Sequence, residues 1–217
     1  MNRISNIPLR TLRKIWQRVP SDYYEVAVRR NFLQRIWHGK RLKILTNLLD
    51  PEARRILDLG CAAGHFSAKI QASLPHAEVV GVDVYEPFVQ LFRKRHPRVS
   101  CVCADAHHLP FTKGRFDAVV LSEVLDHVVD PRVVLSEVKR VLRPGGTLII
   151  SLDELSFVFR IVWWFWIRVD PGKVWWGAHL HHFTSESFER LLTLGGFSVR
   201  ERRSGFFGMI RFFRARK

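Results

Sequence analysis

Residues 56–64, ILDLGCAAG, form a short apolar run that ends in an acid and passes into a turn bounded by glycines. An apolar run of this length suits a strand buried on both faces of a parallel sheet. Gly60 and Gly64 let the backbone turn sharply and approach a ligand where a side chain would collide. The helix expected next, over residues 65–73, aims its free N–H groups at that ligand. Strand, glycine turn and helix in this order mark a nucleotide-type cofactor site, with a plain tight β-to-α connection as the other reading. Asp58 stands two residues before the first glycine, where its carboxylate can accept a hydrogen bond from an ammonium. The central glycine of G-x-G-x-x-G is absent, so the site suits a cationic amino-acid moiety better than a pyrophosphate.

The next strand, expected over 78–84, carries Asp83, 19 residues after Gly64, where a carboxylate can bind both ribose hydroxyls. A third strand, 99–106, ends in Asp105-Ala106 and leads to Leu109-Pro110-Phe111. Downstream come FDAVVLSEVLDHVVDP at 116–131 and LSEVKRVLRPGGTLIIS at 135–151. With DLGCAAG, Asp83 and ADAHHLPF at 104–111, these pieces resemble the class I S-adenosylmethionine-dependent methyltransferases, in particular the large group that includes quinone and sterol methyltransferases. The resemblance runs from Ile56 to Ser151 and continues weakly to the C-terminus.

The resemblance implies an α/β fold: a Rossmann-like, doubly wound seven-stranded sheet, mostly parallel, with an antiparallel C-terminal edge hairpin. It implies S-adenosyl-L-methionine as cofactor. Asp58, Gly60, Ala62 and Gly64 would hold its methionine part, Asp83 the ribose, and Asp105 with Ala106 the adenine, with Cys61, Val84 and Ser122 as further cofactor-binding residues. Ala62 departs from the family, which usually has glycine there; one added methyl predicts a tighter turn and an intact site.

At 217 residues and 47% hydrophobic, the chain can bury one sizeable core and is too short for a two-domain dehydrogenase. The expected division is a helical basic N-terminal extension, 1–50, and a methyltransferase domain, 51–217, with a Trp-rich insertion at about 154–183. Cys61, Cys101 and Cys103 read as small buried residues in a reducing compartment, the last two sharing a strand face.

The net charge of +15 is uneven: residues 1–55 carry 13 basic against 4 acidic residues, 56–195 carry 15 of each, and 196–217 carry 7 against 1. A neutral core with basic ends favours an anionic partner, a membrane, nucleic acid or an acidic substrate. Leu9, Leu12, Ile15, Trp16 and Val19 recur at helical spacing with Arg10, Arg13, Lys14 and Arg18 on the other face. Such a helix can lie in a headgroup layer, pack on its own domain, or mimic a transit peptide. No secretory h-region is visible, so the expected location is cytoplasmic, peripheral on the inner face of a membrane.

Residues 23–50 read as one or two helices, and by resemblance Tyr23 or Tyr24 borders the substrate pocket. A fourth strand, 116–123, brings Ser122-Glu123 to the carboxyl edge of the sheet, where ligands bind. Its Ser-Glu-Val-Leu lacks the Asn or Asp, two prolines and aromatic residue that methylation of exocyclic base amines requires. Asp130 should cap a helix over 131–143, and Pro144-Gly145-Gly146 should turn the chain into a fifth strand, 147–152. A last helix over 185–194, capped by Thr184 or Ser185, precedes strands at 197–203 and 207–214 joined by Ser204-Gly205.

Residues 157–169, FVFRIVWWFWIRV, are apolar almost all round when wound as a helix, and five of the seven tryptophans fall between Trp163 and Trp176. A 13-residue run with an internal Arg is too short to span a bilayer, for which about 20 residues are needed. It is a buried cap or an interfacial helix, and tryptophans favour the interface.

Methyl transfer asks the protein for alignment and exclusion of water. A general base is needed only for a hydroxyl, an acidic carbon or a protonated amine, and His127, Glu123, His108 and His181 are the candidates. His179, His181 and His182 lack a nearby partner acid in sequence, so no metal site is expected. The expected acceptor is a hydrophobic small molecule or lipid, such as a quinone or isoprenoid, at an anionic membrane surface. The alternatives are a soluble small molecule, a glycan or RNA, or a non-catalytic binding protein on the same fold.

Overall fold

The structure, a computed structural model, describes residues 17, 19–169 and 172–217. The basic helix expected over 9–19 lies outside the described residues apart from Gln17 and Val19. The chain then runs through α1 (Tyr23–Arg30), α2 (Phe32–Asn47), β1 (Arg55–Leu59), α3 (His65–Ser73), β2 (Glu78–Asp83), α4 (Glu86–Arg95), β3 (Ser100–Cys103) and β4 (Phe116–Ser122). It continues through α5 (Pro131–Val141), β5 (Leu142–Asp153), α6 (Phe157–Trp166), α7 (Ser185–Leu194), β6 (Ser198–Gly205) and β7 (Ile210–Arg216).

The strands form one seven-stranded sheet in the order β3-β2-β1-β4-β5-β7-β6. β1 to β5 are parallel, and β7 runs antiparallel to both β5 and β6. Period-2 alternation sends successive strand residues to opposite faces. Leu57, Leu59, Val119, Leu121, Leu148, Ile150 and Phe213 thus join one core, beneath α5 and α7. Ile56, Val79, Ala118, Val120, Ile149 and Phe212 join the other, beneath α2, α3 and α4. Each such fully buried aliphatic or aromatic side chain contributes about 1.5–3 kcal/mol. α5 buries Val134, Leu135, Val138 and Val141, one helical stripe, and its first turn is closed by the Asp130 carboxylate, which accepts from Arg132 N and Val133 N. The α7 cap is Thr184, in a reciprocal pairing with Ser187.

Several boundaries move from their expected places. β3 stops at Cys103, before Asp105. β5 begins at Leu142, so Pro144-Gly145-Gly146 sits inside it as an irregularity: the pairing jumps from Phe116↔Leu142 to Ala118↔Thr147. The last two strands meet later than the Ser204-Gly205 junction, through a 3₁₀ turn at Phe206–Gly208 in which Phe206 and Phe207 take positive φ. The burial expected of all three cysteines holds only for Cys61. Cys101 is half-buried and Cys103 is exposed, because the short β3 is the edge of the sheet and only its neighbour side is covered. All three are free thiols, with Cys61 Sγ 3.8 Å from Cys101 Sγ.

Candidate active site

The strand order reverses between β1 and β4, and the carboxyl ends of both open on a cavity of about 1150 Å³. A crevice at such a switch point is where α/β sheets bind ligands. Part of its lining comes from Asp58, Gly60, Cys61, Ala62, Asp83, Val84, Asp105, Ala106 and Ser122, and part from aromatic residues of α1, α2, α6 and the 3₁₀ turn. Gly64 itself is absent from the lining. It takes φ 85° as the turn enters α3, and a Cβ there would lie 2.5 Å from the Phe92 ring. Ala62, in place of the usual glycine, takes φ 45°. For a residue with a Cβ that conformation costs about 1–2 kcal/mol.

Asp83 anchors this turn. Its Oδ2 accepts from Ala62 N at 2.9 Å and its Oδ1 from Tyr85 N at 2.9 Å. Each oxygen keeps a second lone pair for a hydroxyl. Burial pushes its pKa up, against the backbone donors that favour the charge. Asp58, 2% exposed, accepts from Ser67 Oγ at 2.5 Å. Burial pushes it up to about 7, with Asp83 adding to the effect and the Ser67 hydroxyl opposing it.

Asp105 is held by His107, whose backbone N and Nδ1 lie 2.9 and 2.6 Å from its Oδ1. His107 Nε2 accepts from Asp130 N at 3.1 Å, so Nδ1 carries the proton. One imidazole therefore ties the loop after β3 to the start of α5, and its hydrogen bond, the largest influence, holds Asp105 below the usual carboxylate range. Ser122 Oγ faces Ser151 Oγ at 3.3 Å.

Of the four candidate bases, the fold brings two to the cavity. Glu123, with φ 56° at the end of β4, lines it and forms an ion pair with Arg41 of α2. His127 also lines it and donates from Nδ1 to Ala178 O at 2.9 Å. His108 is exposed outside the lining. His181 lies outside it too, its Nε2 2.9 Å from Val128 O as a strut between two segments. Both Tyr23 and Tyr24 border the cavity.

The sequence reading missed a buried polar group under α1 and α2. Arg41 is 7% exposed, and Tyr24 lies against His38 with ring centroids 4.1 Å apart. Burial pushes Tyr24 up to about 12 and His38 down to about 2. Asp153 is also raised, by burial and by Glu123 and Asp126. Arg41 shares the helical spacing of buried Leu45 and Leu48, an arginine on an apolar stripe, and that signal was available. Asp126 is a second buried polar residue that chain spacing does not single out. It is 5% exposed, with His179 Nε2 3.2 Å and His127 Nε2 3.4 Å from its Oδ2. His179 stacks on Trp163 at 4.5 Å, and burial pushes it down to about 4.

Residues 57–150 match the family model described as "Methyltransferase domain". The chain is 32% identical over 208 residues to a demethylmenaquinone methyltransferase of Thermus thermophilus, covering 82% of this chain and 92% of that protein. It is 46% identical over 99 residues to a demethylmenaquinone methyltransferase of Clavibacter sepedonicus, 44% of this chain but 40% of that one. A solved structure from Thermotoga maritima, described as an S-adenosylmethionine-dependent methyltransferase and possible histamine N-methyltransferase, superposes with a TM-score of 0.67 at 20% identity, over 89% of this chain and 99% of that one. It shares the fold.

The chain belongs to the class I S-adenosylmethionine-dependent methyltransferases, and S-adenosylmethionine is its cofactor. The residues fit that molecule. Asp58 would offer a carboxylate to its ammonium, Asp83 paired lone pairs to its ribose diol, and the turn between them its backbone.

The Asp58 pKa predicts a pH dependence. A bound ammonium favours the ionised carboxylate, so binding must displace a proton once the pH is below about 7. The cofactor dissociation constant is expected to rise toward tenfold per pH unit on going below 7, since one pKa unit corresponds to about 1.4 kcal/mol. Calorimetry between pH 5.5 and 8.5 checks this, and a flat profile identical to that of Asp58→Asn would exclude the contact.

Proposed function

We propose that the protein transfers the methyl group of S-adenosylmethionine to a hydrophobic acceptor, a quinone, isoprenoid or other lipid, taken up at a membrane surface. The observation that carries this reading is the aromatic part of the cavity: Trp37, Phe159, Trp163, Trp166, Trp175 and Phe206 line it beside the cofactor residues. Such a wall suits an apolar ring or chain and leaves water little to bond to. The relatives from Thermus and Clavibacter are named for demethylmenaquinone, so a quinone is the first acceptor to try.

The cofactor supplies a methyl group already activated on a sulfonium. Asp58, Asp83, Asp105 and the 60–64 turn fix its two ends, while the aromatic wall orients the acceptor and excludes water, which is catalysis by proximity. Glu123 and His127 are the cavity residues suited to take a proton from the acceptor.

The membrane reading is supported by α6. Its inner residues Phe159, Val162, Trp163 and Trp166 line the cavity, while Phe157 and Phe165 are 78% and 60% exposed. Phe207, on the turn packed beside α6, is 93% exposed. Arg168 lies 3.8 Å over the Trp164 ring, a cation at an aromatic surface that suits an anionic interface. Among the described residues no helix is long and apolar enough to cross a membrane. The contact we propose is a peripheral one on the cytoplasmic face, made by the exposed aromatic residues of α6. On this reading 1–50 is an extension added to a methyltransferase domain of 51–217, and the 154–183 insertion is both acceptor wall and membrane contact.

The test is transfer of labelled methyl to a demethylated quinol in anionic vesicles, and to a total cell extract. Label in the organic phase that requires Asp83, and vesicle binding weakened about tenfold or more by Phe157→Ser with Phe165→Ser, are expected from the apolar area removed. Nuclease-sensitive label in the aqueous phase would make RNA the acceptor, and nuclease-resistant aqueous label a soluble molecule; either overturns the lipid reading.

A further inference from the structure

Asp126, His127 and His179 meet at the acceptor side of the cavity, and each offers one ligand atom within 4.8 Å of the others. Asp126 Oδ2 stands 3.2 Å from His179 Nε2 and 3.4 Å from His127 Nε2. Ligands about 2.1 Å from a tetrahedral ion stand about 3.4 Å apart, so both carboxylate-to-imidazole separations already suit one.

The hydrogen bonds leave these groups open to a cation. Neither carboxylate oxygen of Asp126 accepts a hydrogen bond from a described residue, although the side chain is 6% exposed. A buried carboxylate without partners is costly. His127 Nδ1 faces the Ala178 carbonyl at 2.9 Å, which can only accept, so the proton of a neutral imidazole sits on Nδ1. Its Nε2 then lies on the side of the carboxylate, 3.4 Å from Oδ2, where a shared cation, a proton or a metal ion, would be held by both groups. A ligating histidine held by Nδ1–H to a backbone carbonyl is the usual outer-shell arrangement of metal sites. The neighbouring carbonyl of Asp126 is itself held by Leu180 N and His181 N at 2.8 and 3.1 Å, and His179 is stacked on Trp163, so the segments carrying the ligands are fixed to one another.

We propose that Asp126, His127 and His179 bind a divalent first-row metal ion of the zinc and cobalt kind. Two imidazoles and one carboxylate suit such ions better than magnesium, which takes oxygen ligands. Three protein ligands leave a coordination position open. His127 and His179 line the cavity, so an acceptor oxygen bound at that position would lose its proton more readily, and with both His127 nitrogens engaged the proton would go to Glu123. This use of the ion rests on the methyl-transfer reading; the binding of the ion does not.

The test uses metal alone. Tag-free full-length protein stripped with chelator is titrated with Co²⁺, followed by visible absorption, and then with Zn²⁺, followed by displacement of the cobalt bands and by thermal melting. One equivalent of Co²⁺ with the absorption of a four- or five-coordinate site, displaced by Zn²⁺, is expected. His179→Gln and Asp126→Asn should weaken uptake by more than the 10–100-fold typical of losing an outer-shell partner. His182→Ala, at an exposed neighbouring histidine, should leave it unchanged. Absence of saturable uptake by the unaltered protein at micromolar metal would overturn the site, whatever the stability of the variants. Loss of uptake in His182→Ala equal to that in His179→Gln would also overturn it.

Discussion

Replacing Asp83 with alanine is expected to raise the dissociation constant for S-adenosylmethionine by at least about 100-fold. Hydrogen bonds to a charged group contribute about 1.5–3 kcal/mol each, and two ribose contacts would be lost together. A second loss comes from the protein. Ala62 N and Tyr85 N each give up a carboxylate acceptor, and the turn that holds Ala62 at φ 45° loses its brace. Asp83→Asn keeps the shape but presents an amide donor toward at least one N–H, so it should fall between the two. Calorimetric titration with the cofactor, on variants whose melting shows them folded, checks the result. A dissociation constant within threefold of the original would remove Asp83 from the ribose site.

Arg41→Met is expected to destabilise the fold by about 3 kcal/mol, the lower end of the range for removing one partner of a buried ion pair. The lower end applies because Glu123 keeps 22% of its side chain exposed. For a chain of this size that loss lowers the melting temperature by about 6–12 °C. The variant leaves Glu123 and Asp153, two acids close enough for Glu123 to push Asp153 upward, without the guanidinium that draws Asp153 down. Arg41→Met with Glu123→Gln should recover part of the stability, since the carboxylate paired with the lost cation is then gone and Asp153 loses an acidic neighbour. Melting and denaturant titration of the single and double variants measure the coupling. Additive effects would show that the pair is no unit.

Much of the scaffold was legible because its signals are local. The glycine turn at 60–64, the Asp130 cap with Pro131 and the Thr184 cap each act within a few residues, and the structure has α3 at His65–Ser73 and α7 at Ser185–Leu194 as expected. The expected adjacency of Asp58, Asp83 and Asp105 also holds, because three neighbouring parallel strands put their carboxyl ends at one edge. The expected junction of the last strands failed for a local reason that composition hides. Ser204 and Gly205 are ordinary turn residues, yet the chain turns at Phe206 and Phe207 in left-handed conformations. There the Phe206 ring lies tilted against Trp37, centroids 4.0 Å apart, a contact between opposite ends of the chain.

The sequence by itself determined the class of fold, the sheet with its cofactor edge, and the acids that face it, since strand alternation, glycine turns and caps are written in neighbouring residues. Only the tertiary structure decided which polar side chains meet away from that edge. Arg41 and Glu123 are brought together by α2 crossing the end of β4, and Asp126, His127 and His179 by the return of the 178–181 segment onto the start of the 126–129 loop. Spacing along a chain fixes which face of an element a side chain occupies; which other face it meets is set by how the elements pack, and that depends on the whole core at once.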